Sequence, residues 1–248
     1  KVQLQFGELL QHGNFYNENL RSAEAQYTYI ADGVPSHVRP RFTFYGFRFM
    51  KVTGAAAEEL KNLTACVVYS DMDATGDITT SNEKVNRLIA NVQWGQRGNF
   101  LDVPTDCPQR SERQGWTGDT QVFSQAGTYL TYSKSFLEKY LQDMRDAQAD
   151  SSIYGGVYTG AYADIAPYTQ NYGTVVDDYG NNTFGEVGWG DAGIIIPWNL
   201  YMMYGDTSVI TEHWDSMNKY MAFLETSNGA AEENDFCDTL LGDQEKIE

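Results

Sequence analysis

Residues 80–92, TSNEKVNRLIANV, mark the point at which the hydrophobic pattern of the chain changes. Thr80–Glu83 matches a capping box, in which a Thr and a Glu three residues later satisfy the first free amides of a helix. Apolar residues then recur at the spacing of a helical face, at Val85, Leu88, Ile89 and Val92. The segment therefore predicts an amphipathic helix and a change of structural class near residue 80.

The residues before this point have the pattern of β-strands. Apolar side chains alternate with polar ones at Val2, Leu4 and Phe6, which is the period of a half-buried strand. Further short apolar or aromatic runs predict strands at 26–30, 41–52 and 66–69, and a small helix is expected at 57–62. Gly46 interrupts the longest run, as at a bulge or bend. This spacing predicts an antiparallel β-sandwich over residues 1–78.

The residues after this point predict a helical domain over 79–248. Four more amphipathic stretches begin near residues 122, 136, 194 and 209, so we expect about five helices. Tyr204-Gly205-Asp206 combines a helix stop with a new start, which predicts an αα-hairpin. The predicted fold class is α+β multidomain, a β-sandwich followed by helices, with a long loop at 151–189 of the kind that usually carries function.

Composition limits the classes of partner. The chain has 34 acidic and 17 basic residues, a net charge of −17, so it lacks the positive surface that nucleic acid binding requires. No apolar run reaches the roughly 18 residues of a membrane-spanning helix, which predicts no membrane insertion. Seventeen Tyr and five Trp offer flat surfaces for neutral polar rings. A carbohydrate is the partner that this balance favours.

The loop at 98–119 concentrates the chemistry. It contains four acids, two Arg, one Trp and two Pro, and its prolines exclude a regular helix. Such a loop can direct several carboxyl groups into one cleft, and glycoside hydrolysis uses two of them, one kept protonated near neutral pH. The residues alone are also compatible with a second interpretation, in which this is an acidic surface loop held by arginine ion pairs.

The same loop carries a resemblance to a known family. Residues 104–119, PTDCPQRSERQGWTGD, closely resemble the signature of the bacterial α-L-rhamnosidases, glycoside hydrolase family 78. The blocks GWGDA at 188–192, PW at 197–198 and YGD at 204–206 resemble later blocks of that family, and 40–49 resembles a strand block of its sandwich. The resemblance implies the start of an (α/α)6 barrel and inverting hydrolysis of terminal α-L-rhamnosyl residues from oligosaccharides or glycosides.

The resemblance also implies roles for individual residues. Glu112 matches the general acid that protonates the departing oxygen. Arg110 lies in the same block, where it orients carboxylates or a sugar hydroxyl. The residues expected to hold or enclose the rhamnose ring are Asp106, Trp116, Asp119 and Trp189. No cofactor and no metal are implied.

Two departures from the family pattern shape the expectations for this chain. About five helices stand where a complete barrel has twelve, and the family's general base is expected beyond residue 248, so the chain alone should be inactive or very weak. Leu241–Gln244 falls where the family often has Gly-Asp-Trp.

Apolar helix faces left open by a partial barrel predict homo-oligomers. A bacterial, periplasmic or secreted location is favoured over a cytoplasmic one.

Alternatives remain at this stage. The chain could belong to an (α/α)6 glycosidase of different sugar preference, or act as a non-catalytic carbohydrate-binding fragment. Asp71–Asp77 resembles the start of a calcium loop, but an interdomain turn is the preferred interpretation. The acidic and amide residues at 177–182 are interpreted as a polar loop rather than a metal site. Cys107 and His213 are expected to be packed side chains rather than a nucleophile and its base.

Overall fold

The computed structural model describes residues 1–152, 156–168 and 184–226. It divides into two compact units. The first unit contains residues 1–70 and 90–113, and the second contains residues 71–89 and the described part of 114–248. Among the described residues, no helix is both long and apolar enough to cross a bilayer.

The first unit is built on an antiparallel sheet of three strands. Its strands, in spatial order, are β4 (Gln26–Tyr29), β1 (Val2–Gly7) and β5 (Phe49–Thr53). Leu4 of β1 lies opposite Tyr27 on one side and Val52 on the other. Two short hairpins accompany the sheet: β2 (Leu9–Gln11) with β3 (Asn14–Tyr16), and β6 (Phe100–Leu101) with β7 (Val103–Pro104). The strands predicted at 2–6 and 26–30 are confirmed.

Other predictions for the first unit are wrong in part. The expected strand at 41–52 is a strand only from Phe49, that at 66–69 is not a strand, and the helix at 57–62 is a single 3-10 turn over Ala57–Glu59. The aromatic run instead packs through its side chains, since Tyr45 stacks on Phe6 with ring centroids 4.2 Å apart. For Tyr45 and Phe47, apolar character thus reflects packing on Phe6 rather than strand pairing, whereas Phe42 is fully exposed.

Five α-helices occur among the described residues, as predicted. They are α1 (Glu83–Asn99), α2 (Thr117–Leu130), α3 (Lys134–Asp146), α4 (Ala192–Tyr204) and α5 (Ser208–Thr226). α1 begins in the second unit and ends in the first. In the second unit α4 packs against α2, α3 and α5. The core side chains with 1% exposure or less include Leu137, Tyr140, Met144, Ile196, Leu200 and Tyr220.

The helix ends follow local hydrogen-bonding rules. The side chain of Asn82 accepts the amide of Lys84 at 2.9 Å, so Asn82 caps α1 and the prediction that Thr80 does so is wrong. Gly205 ends α4 with φ of 67°, and its amide donates to the Tyr201 carbonyl at 2.8 Å. The predicted αα-hairpin between α4 and α5 is thereby confirmed.

The segment at Asp71–Asp77 is an extended connection. The Asp73 carbonyl accepts the Tyr132 amide at 2.8 Å, and the Thr75 amide donates to the Leu130 carbonyl at 3.0 Å. Because this segment is hydrogen-bonded along the end of α2, it does not form a loop around an ion. This favours a connection between domains over a calcium site. The polar residues at 177–182 and the block at 241–244 lie outside the described residues.

Large apolar side chains are exposed on three helices of the second unit. They are Val122 and Tyr129 on α2, Trp198 and Met202 on α4, and Trp214 and Met221 on α5. The expected exposure of apolar helix faces is therefore present in this chain.

Candidate active site

The loop that carries Glu112 starts from a tight reversal after α1. Asp102, with φ of 66°, turns the β6–β7 hairpin, and Thr105 returns to the end of the helix. The Thr105 amide donates to the Asn99 carbonyl at 2.9 Å, and its hydroxyl donates to the same oxygen at 3.1 Å. Both bonds cap the carbonyl of Asn99, the last residue of α1, and fix the point at which the loop begins.

Three contacts hold this loop on the β-rich part of the first unit. The Gly46 amide donates to the Pro108 carbonyl at 3.1 Å, and a Cβ on Gly46 would lie 2.9 Å from that oxygen. Gly46 is thus needed for close approach, and the predicted bulge is not its role. Arg113 donates to the Phe44 carbonyl at 3.2 Å with its guanidinium 5.4 Å from the Phe44 ring centroid.

Two arginine side chains bind the Glu112 carboxylate through one of its oxygens, Oε2. Arg110 approaches Oε2 with Nε at 2.7 Å and Nη2 at 2.6 Å, and Arg21 donates to the same Oε2 from Nη1 at 3.0 Å. Every hydrogen bond to this carboxylate within the described residues goes to Oε2. The other oxygen, Oε1, is therefore the one available to carry a proton to an external acceptor.

Asp106 and Cys107 are the buried neighbours of the Glu112 carboxylate. Asp106 is only 5% exposed, and its Oδ2 lies 3.6 Å from Nη2 of Arg110. Burial raises the pKa of the Cys107 thiol to about 11, and the hydrogen bond to Asp106 adds to the effect. Cys107 is thus an inert, buried thiol, as predicted.

Ligand atoms of Asp106, Cys107 and Glu112 lie within 4.8 Å of one another, a spacing that a metal ion could bridge. The chemistry of this group argues against that use. A protonated thiol is a poor ligand, and Oε2 of Glu112 already faces two guanidinium groups. We therefore interpret the cluster as an ion-pair network rather than a metal site.

The second unit places the two tryptophans near the start of α2. Trp116 immediately precedes α2, whose start is tied down by the Thr117 hydroxyl, which donates to the Asp164 carbonyl at 3.0 Å. The ring of Trp189 lies against Gly118, where an added Cβ would be 3.1 Å from the indole. Both indole N–H groups are buried and have no acceptor within the described residues.

The second unit also contains Asp119 and the residues that support Trp189. Asp119 is exposed in the first turn of α2, where a negative charge is favoured by the helix dipole. Behind Trp189, the Tyr220 hydroxyl donates to Oδ1 of Asp191 at 3.0 Å, and Tyr220 itself is fully buried. Asp191 and Tyr220 thus fix the turn that presents Trp189.

The predicted site residues fall into two sets. Asp106, Arg110 and Glu112 are in direct contact or close proximity within the first unit. The set in the second unit consists of Trp116, Asp119 and Trp189. Sequence reasoning missed Arg21, because nothing in the local pattern of residues 17–25 connects it with a carboxylate 91 positions later.

His213 and its surroundings give no sign of a nucleophilic site. The side chain is 3% exposed on α5, and burial lowers its pKa. The expectation that His213 is a packed side chain is confirmed.

Two family models match the chain. Residues 73–246 match the bacterial α-L-rhamnosidase 6 hairpin glycosidase domain, and residues 1–69 match the bacterial α-L-rhamnosidase concanavalin-like domain. The chain belongs to the bacterial α-L-rhamnosidase family. The predicted fold class, a β-sandwich-type domain followed by part of a helical barrel, is confirmed by this pair of matches.

Individual relatives agree with the family assignment. An α-L-rhamnosidase of Streptomyces avermitilis is 40% identical over 227 residues, which is 90% of this chain and 20% of the relative. One from Formosa agariphila is 39% identical over 227 residues, 89% of this chain and 22% of the relative. The chain thus spans about a fifth of the length of these relatives.

Solved structures show the same architecture. The crystal structure of the Streptomyces avermitilis α-L-rhamnosidase complexed with L-rhamnose has a TM-score of 0.79 at 40% identity and covers 91% of this chain and 20% of its own. The α-L-rhamnosidase structure from Dictyoglumus thermophilum has a TM-score of 0.77 at 33% identity, with 91% of this chain and 24% of its own covered.

Proposed function

We propose that this chain supplies the acid side of the active site of an inverting α-L-rhamnosidase. The substrates would be oligosaccharides or glycosides that end in an α-L-rhamnosyl residue. The observation that carries the proposal is the Glu112 carboxylate, held through Oε2 by Arg110 with Oε1 left available. Family membership supplies the sugar, since every relative described above is an α-L-rhamnosidase.

Glu112 is the general acid in this proposal. A protonated carboxyl group keeps its carbonyl-type oxygen as an acceptor, so Oε2 can remain bound to the guanidinium N–H groups while Oε1 carries the proton. That proton is transferred to the glycosidic oxygen as the bond to the aglycone breaks. Arg110 thereby orients the acid, and the buried Asp106 offsets part of its positive charge.

The remaining proposed roles concern the sugar ring. Asp106 and Asp119 would accept hydrogen bonds from rhamnose hydroxyls. Trp116 and Trp189 would provide apolar faces for the ring and its methyl group. We assign no general base to the described residues. An inverting hydrolase needs that second carboxylate at about 6.5–9.5 Å from the first.

Three further proposals concern the molecule as a whole. We propose a domain division at residues 1–78 and 79–248, which the family matches at 1–69 and 73–246 support. We propose self-association through the exposed apolar faces of α2, α4 and α5, to be measured by sedimentation equilibrium. A periplasmic or secreted location remains a proposal to be tested by cell fractionation.

The experiment is a comparison of two proteins on an aryl α-L-rhamnoside. One is the chain itself, and the other is a chimera in which its matched residues replace the corresponding segment of the Streptomyces avermitilis relative. We expect turnover by the chimera and little or none by the chain alone. Equal turnover by both would contradict the assignment of the base, and a chimera active only on other aryl glycosides would contradict the choice of sugar.

A further inference from the structure

Arg21 is held in an uncommon backbone conformation beside the proposed acid. It follows a 3-10 turn, Glu18–Leu20, and has φ of 57°, in the left-handed region that costs a non-glycine residue about 1 kcal/mol or more. Leu20, directly before it, is fully buried, and the Ala23 amide donates to the Leu20 carbonyl at 3.2 Å. The buried anchor and the following turn fix the direction in which Arg21 leaves the backbone.

That direction leads to Glu112. Nη1 of Arg21 lies 3.0 Å from Oε2, the oxygen that also accepts from Arg110. The two guanidinium groups come from parts of the chain that are far apart in sequence, yet they converge on one atom. We infer that Arg21 is a further positioning residue for the general acid, one that keeps Oε2 occupied and Oε1 directed outward. The inference deepens the proposed function and rests on it.

The charges around the carboxyl group give Arg21 a second effect. The titratable groups that face Glu112 are Arg21 and Arg110, the Asp106 carboxylate and the Cys107 thiol. With both carboxylates ionised, two cations balance two anions. Loss of Arg21 leaves one cation for two carboxylates, so the repulsion between Asp106 and Glu112 is less well offset. Arg21 thus contributes by its charge, as well as by its hydrogen bond, to holding the Glu112 carboxyl group in one position.

The test is the ¹³C NMR signal of the Glu112 carboxyl carbon in this chain at neutral pH, identified by its loss in Glu112→Gln. Arg21→Gln is compared with wild type and with Arg41→Gln, which removes an exposed arginine of the same unit. We expect Arg21→Gln to move this signal by more than its linewidth, because the carboxyl group loses one of its two charged hydrogen-bond donors. Arg41→Gln should leave the signal where it is in wild type.

Arg21→Lys is the conservative variant. It retains the charge but not the planar donor fork, so its Glu112 signal should lie between those of wild type and Arg21→Gln. If the Arg21→Gln and Arg41→Gln signals coincide, the inference is overturned. Far-UV circular dichroism of each variant verifies the fold, and Arg21→Lys provides the comparison with wild type if the glutamine variant unfolds.

Activity in the chimera separates this inference from the proposed function. Arg21→Gln in the chimera should lower kcat more than it raises KM. A chimera without activity on any rhamnoside would contradict the proposed function, whereas the NMR result on Arg21 would still stand or fall by itself. An active chimera whose kcat is unchanged by Arg21→Gln would contradict the inference alone.

Discussion

Arg110→Gln probes the geometry that holds the proposed acid. Arg110 lies 2.6 Å from Oε2 of Glu112 and 3.6 Å from Oδ2 of Asp106. Its loss leaves two carboxylate groups with oxygens within 4.8 Å of each other. At an effective dielectric constant of about 20, two like charges at that distance repel by about 3.5 kcal/mol. Arg21 and solvent screen part of this repulsion, because Glu112 is 22% exposed. We expect a loss of about 1–3 kcal/mol in the free energy of unfolding.

Urea denaturation at neutral pH, followed by far-UV circular dichroism, measures this loss. Arg41→Gln is the matched control, and its free energy of unfolding should stay within about 0.5 kcal/mol of wild type. Arg110→Lys should fall between the two, since lysine keeps the charge but cannot donate in a fork. If Arg110→Gln is as stable as Arg41→Gln, the network does not hold Glu112 and the reasoning fails.

Three other outcomes are expected. At pH 8, iodoacetamide should modify the exposed Cys66 but not Cys107, because burial raises the pKa of the Cys107 thiol to about 11. Peptide mass spectrometry measures the labelling, and equal labelling of the two cysteines would contradict this prediction. The ion pair with Lys134 lowers the pKa of Asp206 below its usual 3.8, so its stabilisation is present above that pH and lost in more acidic solution. Asp206→Asn should therefore flatten the acid limb of stability against pH, and an unchanged limb would refute this. Gly118→Ala should weaken L-rhamnose binding in calorimetry, because the added Cβ would lie 3.1 Å from the Trp189 indole, which must then move. Unchanged binding would contradict the role of Trp189 in the sugar site.

Periodicity predicted the elements whose packing is local and regular. The alternation at Val2, Leu4 and Phe6 identifies β1, in which Phe6 is buried and Val2 and Leu4 are partly buried. The aromatic run that starts at Arg41 also alternates, at Phe42 and Phe44 and again at Phe47 and Phe49, yet only its end forms a strand. Tyr45 and Phe47 pack on Phe6 instead. Short apolar runs of this kind do not distinguish a strand from a packed connection, and the two wrong strand predictions in the first unit, at 41–52 and 66–69, arose there.

The candidate site was predictable to the extent that its residues are neighbours in sequence. Asp106, Arg110 and Glu112 lie within seven positions, and a proline-containing loop keeps them together. Arg21 could not be found in this way, because it lies 91 positions before Glu112 in the sequence. Its orientation depends on the buried Leu20 and on the local turn, which no pattern links to the loop. Likewise, the close approach of Gly46 to Pro108 depends on how the loop folds back onto the first unit, which no local pattern encodes.

The most direct test of the account is the leaving-group dependence of Glu112→Gln in the chimera. If Glu112 protonates the departing oxygen, the variant should lose about 10²- to 10⁴-fold in kcat/KM on an alkyl α-L-rhamnoside. On para-nitrophenyl α-L-rhamnoside, whose leaving group needs little protonation, the loss should be much smaller. Equal losses on both substrates, or retention of most activity on the alkyl glycoside, would show that another group is the acid.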